Sequence, residues 1–353
     1  MSMDFEPEYR WPGVTYKAIR VLEEVPLRYP FRSHIYRSSF DVVGFPFCKR
    51  IELYCIAEPR SRALIFDTGH PDLCGTEALD GVERILHVPW NQTEVFLSHF
   101  HDDHDGNLLY CVHKGAKTLY SGPTQVDSEA LMKTFFVQSA STDLDSESAA
   151  SFIRLVASGK KAQVLTQGTR VELHGGEVIS LAGYHFEALL TPGHTSNHLC
   201  LLDRNKKILF AGDHICYAPP GCMQYAANEH LISRYLESLA QLKALNLQVV
   251  YMCHHNPLLG SFEINRFISM LEGRYETLVI RARKLFENDD ELTVRQAAIL
   301  GAAHYPKGLE GFPISTQINR IATIFGTLEY MLDLGLLSRT VNDAGALVYR
   351  RLW

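Results

Sequence analysis

The chain has 353 residues, 46% hydrophobic and 21% charged, with a formal net charge of −6. This suits one large α/β domain with an appendage, or two domains, and the acidic balance argues against a nucleic-acid surface. The 8 cysteines are scattered without a CxxC pair, the N-terminal stretch lacks the apolar region of a signal peptide, and no run approaches the roughly 18 apolar residues of a membrane helix, so the chain reads as a soluble cytoplasmic protein with reduced thiols.

Strand-like alternation comes first: "TYKAIRVL" from Thr15, "RIELYCIA" from Arg50, and "RALIFDTG" ending on Asp67-Thr68-Gly69. A helix-compatible stretch, "GTEALDGVERILHV", leads to the short apolar strand "TEVFLSH", which runs directly into "HFHDDHDGN". "DGNLLYCVHKG" then reads as a helix, with Asp105 as its N-cap and Gly115 as its stop. The His/Asp cluster therefore falls in a strand-to-helix loop, where α/β proteins place their chemistry.

Residues 124–168 change to Ser/Asp-rich helical patches, "SEALMKTFFVQ" and "SESAASFIRLVASGKK", and read as an inserted helical segment. Strands return with "TRVEL", "EVISL" and "YHFEALLTPGHT". A hairpin, "HLCLLDRNKKILFAGDHI", turns at Asp203-Arg204-Asn205-Lys206. Helix "SRYLESLAQLKALN", strand "LQVVYMCHHN" and a long amphipathic helix over Glu263–Glu287 follow. The tail runs helix, helix, β-ribbon, in the order of a winged helix. Its basic and acidic residues balance from Asp290 onward, which favours packing or pocket formation over DNA reading. Ile318, Ile321, Phe325, Leu328, Met331 and Leu332 are the expected buried stripe. The expected division is a catalytic domain over 1–262 and a winged-helix-like region over 263–353.

His99 and His101, two apart at a strand end, can point to one side, while Asp103 and His104 lie past the bend and can face a second point. Such donors suit two adjacent divalent ions, whose remaining ligands must come from elsewhere. Candidates at later strand ends are His194 in "TPGHT", Asp213 in "AGDH", and His254 in "CHHN", with His255 as its competitor. His198 and His214, close to two of these, are expected to hydrogen-bond locally rather than ligate. "HFHDDH" resembles the HxHxDH signature of the metallo-β-lactamase superfamily. The three later motifs fall in that superfamily's order, and "IFDTG" is similar to the strand preceding the signature in many members.

The resemblance covers about Ile51 to Leu259 and implies an αββα sandwich. It implies that His99, His101 and His194 bind one metal, that Asp103, His104 and His254 bind a second, and that Asp213 bridges them. Zn²⁺ suits these ligands best, with Mn²⁺ or Fe²⁺ as alternatives. The activity implied is attack of a metal-bound hydroxide on a small ester, thioester or lactone, with Asp103 both ligating and orienting the nucleophile. A phosphodiesterase or nuclease is the alternative, and a di-iron oxidoreductase or a non-catalytic binding protein is further off. Asp67 is expected to fix a ligand imidazole through its N–H. His70 and Tyr217 are candidates to line the site, weighed against a polar loop histidine and an ordinary half-buried tyrosine. Two departures stand out: the glycine-flanked final histidine is Cys253-His254-His255 here, and Cys216 takes the place where some lactonases carry a tyrosine. A small-molecule substrate is the expected partner, with neither nucleic acid nor membrane, and self-association is compatible with the sequence.

Overall fold

The computed structural model describes residue 11 and residues 13–26, 33–45, 48–123, 128–144, 169–217 and 222–353. Strands β1 (Thr15–Glu24), β2 (Ile35–Val43), β3 (Arg50–Glu58), β4 (Arg62–Phe66), β5 (Thr93–Phe96), β6 (Thr118–Ser121) and β7 (Thr169–Glu172) lie side by side in chain order as a 7-stranded sheet. Pairs up to β3–β4 are antiparallel, and those from β4–β5 onward are parallel. The change has a local cause, because parallel neighbours require a crossover. Helices α1 (Pro71–Cys74) and α2 (Glu77–Arg84) lie in the first crossover, and α3 (Asp102–Asp105) and α4 (Leu108–His113) in the second.

A 6-stranded sheet holds β8 (Val178–Leu181), β9 (Tyr184–Leu190), β10 (Leu199–Asp203), β11 (Ile208–Phe210), β12 (Val249–Tyr251) and β13 (Leu258–Leu259). The expected hairpin turn joins β10 to β11, with Asp203 Oδ1 accepting from Lys206 N at 2.8 Å. Only β11–β12 is parallel in this sheet, and helix α6 (Leu231–Ala244) lies in its crossover.

Strand periodicity explains how these apolar runs are used. Tyr54, Leu64, Phe66 and Phe96 from one sheet meet Phe186, Leu201, Phe210 and Tyr251 from the other in a buried layer. Within it Phe66 stacks on Phe96 at 5.4 Å and Tyr54 meets Phe210 edge-on at 5.5 Å. The alternate residues Cys55, Ile65 and Val95 face outward against Leu79, Val82 and Leu108. On the opposite side Cys200, Leu202, Leu209 and Val250 pack on α6 and on α7 (Ser261–Leu285). The result is a helix–sheet–sheet–helix sandwich, the αββα arrangement expected.

Three local expectations change. Strand β2, over Ile35–Val43, was not among the expected strands, although it pairs with both β1 and β3. Asp105 is not an N-cap: its N–H donates to His101 O at 2.9 Å, which makes it the last residue of α3, and Asn107 caps α4 instead. Leu332 is only partly buried, whereas Ile318, Ile321, Phe325, Leu328 and Met331 are fully enclosed.

Of the expected insert, α5 (Ser128–Gln138) is described, and the second helical patch lies outside the described residues. Helix α5 places Met132 and Phe135 in the same core as Phe286 and Phe325. That core belongs to the tail, where α8 (Val294–Gly301) and α9 (Ile314–Asp333) pack with a 3-stranded sheet. Its strands are β14 (Glu291–Thr293), β15 (Leu337–Val341) and β16 (Leu347–Arg351), in the order β14-β16-β15. Thr293 and Gln296 form a reciprocal capping box on α8. Helix α7 serves both regions. Ile264, Ile268, Leu271 and Tyr275 pack on the sandwich, while Ala282 joins the tail core. No helix among the described residues is long and apolar enough to cross a membrane.

Candidate metal centre

The carboxyl ends of β4, β5, β11 and β12 open on one rim, where α/β folds bind ligands. Asp67 follows β4, His99 and His101 follow β5, Asp213 follows β11 and His254 follows β12. The loop before β10 brings His194 to the same point. Nitrogens of His99, His101 and His194 lie within 4.8 Å of one another. His101 Nδ1 and His194 Nε2 stand 2.9 Å apart. Asp213 lies between this trio and the second group: Oδ2 is 3.6 Å from His194 Nε2, and Oδ1 is 3.1 Å from His254 Nε2 and 3.4 Å from His104 Nε2. Asp103 Oδ2 closes the second group, 3.4 Å from His254 Nε2 and 3.8 Å from His104 Nε2.

The outer edge of each ring fixes which nitrogen faces inward. Asp67, buried and held at φ +58°, accepts at 2.8 Å from Ser98 N, Ser98 Oγ and His104 Nδ1. Since Ser98 Oγ donates its proton to Asp67, it accepts from His99 Nδ1 at 2.9 Å. His254 Nδ1 donates to Arg50 O at 3.1 Å. This network gives His99, His104 and His254 the tautomer whose Nε2 lone pair points into the site. His99 Nε2, His104 Nε2 and Asp213 Oδ1 are buried without a hydrogen-bond partner among the described residues. Buried lone pairs converging without donors are costly unless a cation sits among them.

Electrostatics repeat the point. Burial, reinforced by the neighbouring imidazoles, holds His99 and His101 well below the usual histidine range. His104 and His254 go the other way: burial opposes their charge, but Asp213 first among the carboxylates outweighs it. Asp213 is held well below the ordinary carboxyl value because His254 and His104 overcome its burial. Rings driven apart in this way surround a place built for positive charge, and imidazole with carboxylate is the donor chemistry of zinc-class ions.

The model of the metallo-β-lactamase superfamily matches residues 54–254, more than half of the chain. The chain belongs to that superfamily. Its members are generally metal-dependent hydrolases that bind divalent ions. Two solved structures share the superfamily fold with it. A metallo-β-lactamase family protein from Thermus thermophilus is 20% identical, with a TM-score of 0.61 over 88% of this chain and 96% of that one. A β-lactamase domain protein from Burkholderia ambifaria is 17% identical, with a TM-score of 0.67 over 90% of this chain and 91% of that one. Both alignments extend beyond the residues matched by the superfamily model.

Within this superfamily site the sequence candidates fall into distinct places. His99, His101, Asp103, His104, His194, Asp213 and His254 gather as described. His255 is in none of these groups, and its ring lies 4.3 Å from that of Tyr217. Tyr217 is 43% exposed and lines the entrance cavity with it. His70 is corrected: its Nδ1 accepts from Asp72 N at 3.1 Å as the cap of α1, and its Nε2 stands 3.0 Å from Asp102 Oδ2. The run His70-Pro71-Asp72, a capping side chain ahead of a proline at the first helical position, carried that signal.

His198 bonds locally, its Nε2 accepting from Asp213 N at 3.2 Å, and so acts on a ligand's backbone. Sequence reasoning missed Ser98, which relays between Asp67 and His99, and Cys48, which lies beside Asp103 and His254. Of these two, only Ser98 had a sequence cue, its place immediately before the first ligand.

Asp67 holds the ring of His104 by its outer nitrogen, so Asp67→Asn should keep the fold and weaken binding of a metal at that ring. The expected loss is about 10–100-fold in metal affinity. Competition against a chelator measures it, and activity should return at high zinc concentration. Wild-type affinity in the variant would contradict the role assigned to Asp67.

Proposed function

We propose that the chain is a binuclear metal-dependent hydrolase that cleaves a small ester, thioester or lactone. The observation that carries this reading is Asp213, one oxygen of which faces His194 while the other faces His104 and His254. A carboxylate in that position suits sharing between two cations. When bound, such ions lower the pKa of water to about 7 and polarise a substrate oxygen.

The remaining work falls to the chain's own side chains. Asp103 is half-buried beside His254, which lines the cavity, a position from which its carboxylate can orient the attacking water and hold the transferred proton. His198 fixes the backbone of Asp213, and Asp67 and Ser98 hold the rings of His104 and His99. The entrance cavity has a volume of about 610 Å³, the scale of a small-molecule site. Tyr217 and His255, their rings tilted by 60°, give it an aromatic wall. Among the described residues its cations are Lys49 and Arg50, and Arg50 is engaged by Asp41 at 2.7 Å. A nucleic-acid track would need a run of such charges. Zinc is the ion these ligands favour.

A substrate panel tests the reading. Zinc-loaded protein should hydrolyse a nitrophenyl ester, an acyl thioester or a simple lactone, and Asp103→Ala should lower that rate by about 10²–10⁴-fold, the range of general acid–base catalysis. Activity confined to bis-nitrophenyl phosphate would overturn it in favour of a phosphodiesterase.

A further inference from the structure

None of the seven ligand positions that the superfamily motifs imply in this chain is a thiol, yet the fold delivers one. Cys48 stands two residues before β3 and is the half-buried exception among cysteines that are otherwise buried. Its sulfur, a carboxylate oxygen of Asp103 and a ring nitrogen of His254 all lie within 4.8 Å of one another. Two ligands on one tetrahedral ion are about 3.5 Å apart when metal–sulfur and metal–nitrogen bonds have their ordinary lengths. Small side-chain rotations therefore close the group.

A second observation points at the same place. His104 is 1% exposed, and its Nε2, without a hydrogen-bond partner among the described residues, faces Asp103 Oδ2 at 3.8 Å and Asp213 Oδ1 at 3.4 Å. The placement of Cys48 is also anchored. His254 Nδ1 donates to Arg50 O at 3.1 Å and Glu52 N donates to Cys253 O at 2.7 Å, so β3 is laced to the loop that carries His254. A rival thiol, Cys253, sits with Asp67 and the ring of His104, its Sγ donating to Asp67 Oδ2 at 3.5 Å, and is not grouped with Asp103 and His254.

We propose that Cys48 is a further ligand, as thiolate, of the ion held by Asp103, His104 and His254, an inference that rests on the binuclear reading above. Binding replaces the S–H bond with a sulfur–metal bond and releases one proton to solvent. The added thiolate makes this position softer than its partner position, so it prefers zinc, cobalt or cadmium to manganese. It also places a second anionic donor beside Asp103, on the side that faces the cavity.

Cobalt(II) titration of the metal-free full chain tests both claims separately. The wild-type protein should take up two equivalents with visible d–d bands and, for one of them, an intense near-ultraviolet sulfur-to-cobalt charge-transfer band. Cys48→Ser should lose the charge-transfer band and bind that cobalt about 10-fold or more weakly, at least the effect of disturbing a ligand's support. Two bound cobalt ions with no such band, or a band that persists in Cys48→Ser, would overturn the thiolate ligand and leave the binuclear reading standing. No cobalt uptake by the wild-type chain would overturn both. Should the variant fold poorly, cadmium-113 resonance of the wild-type protein decides: one of two signals shifted far downfield supports the thiolate, and two signals in the nitrogen–oxygen range refute it.

Discussion

Asp213→Ala should reduce kcat/KM by about 10³-fold or more while leaving the fold intact. The carboxylate faces both donor sets, so its removal weakens both positions at once. Metal-assisted charge stabilisation contributes several kcal/mol to such reactions, and about 4 kcal/mol corresponds to about 10³ in rate. Removing the carboxylate leaves the buried rings of His104 and His254 without their counter-charge, but an imidazole can respond by releasing its proton, so the fold should survive at reduced stability. Metal analysis beside a rate measurement checks the prediction: bound metal should fall well below two equivalents. A variant that keeps full metal and a rate within tenfold of wild type would remove the basis of the proposed function.

Gly212→Ala should act through strain rather than through lost ligands. Gly212 has φ +50°, a left-handed conformation that costs a residue with a side chain about 1–2 kcal/mol. A Cβ there would lie 2.7 Å from His198 Nε2 and 2.8 Å from both Cβ and Oγ of Ser98, closer than packed atoms tolerate. Overpacking adds about 1–3 kcal/mol. A total near 3 kcal/mol in a chain of 353 residues lowers Tm by roughly 4 °C. The displaced groups are those that support His99 and Asp213, so metal affinity should fall together with Tm. Calorimetry with a chelator titration reads both, and an unchanged Tm would mean that the neighbours yield without cost.

The sequence made most of the candidate ligands legible because they follow short apolar strands, with Asp103 and His104 in the helical turn just beyond, and such positions are what these motifs encode. Asp67 was legible for the same reason. What supports the ligands was not. The carbonyl that holds His254 belongs to Arg50, more than 200 positions earlier, and backbone oxygens carry no sequence signature. Cys48 was only one of several scattered thiols until β3 was laced to the His254 loop. His70 misled because "DTGH" reads as a site loop, while Pro71 and Asp72, which make that histidine a helix cap, follow just after it. Strand β2 escaped for a physical reason too: it is buried on both faces, with Ser38 and Ser39 enclosed and Arg37 paired to Glu52 at 2.6 Å, so its polar residues broke the expected alternation.

Helix α7 runs from the outer face of the sandwich into the core of the tail, as one continuous rod embedded at both ends. The two regions therefore share a helix, and separating them would require breaking it. Near its start the same helix packs on Val250 of β12, the strand from which His254 departs, so one rod touches both the tail core and the rim where the candidate ligands meet.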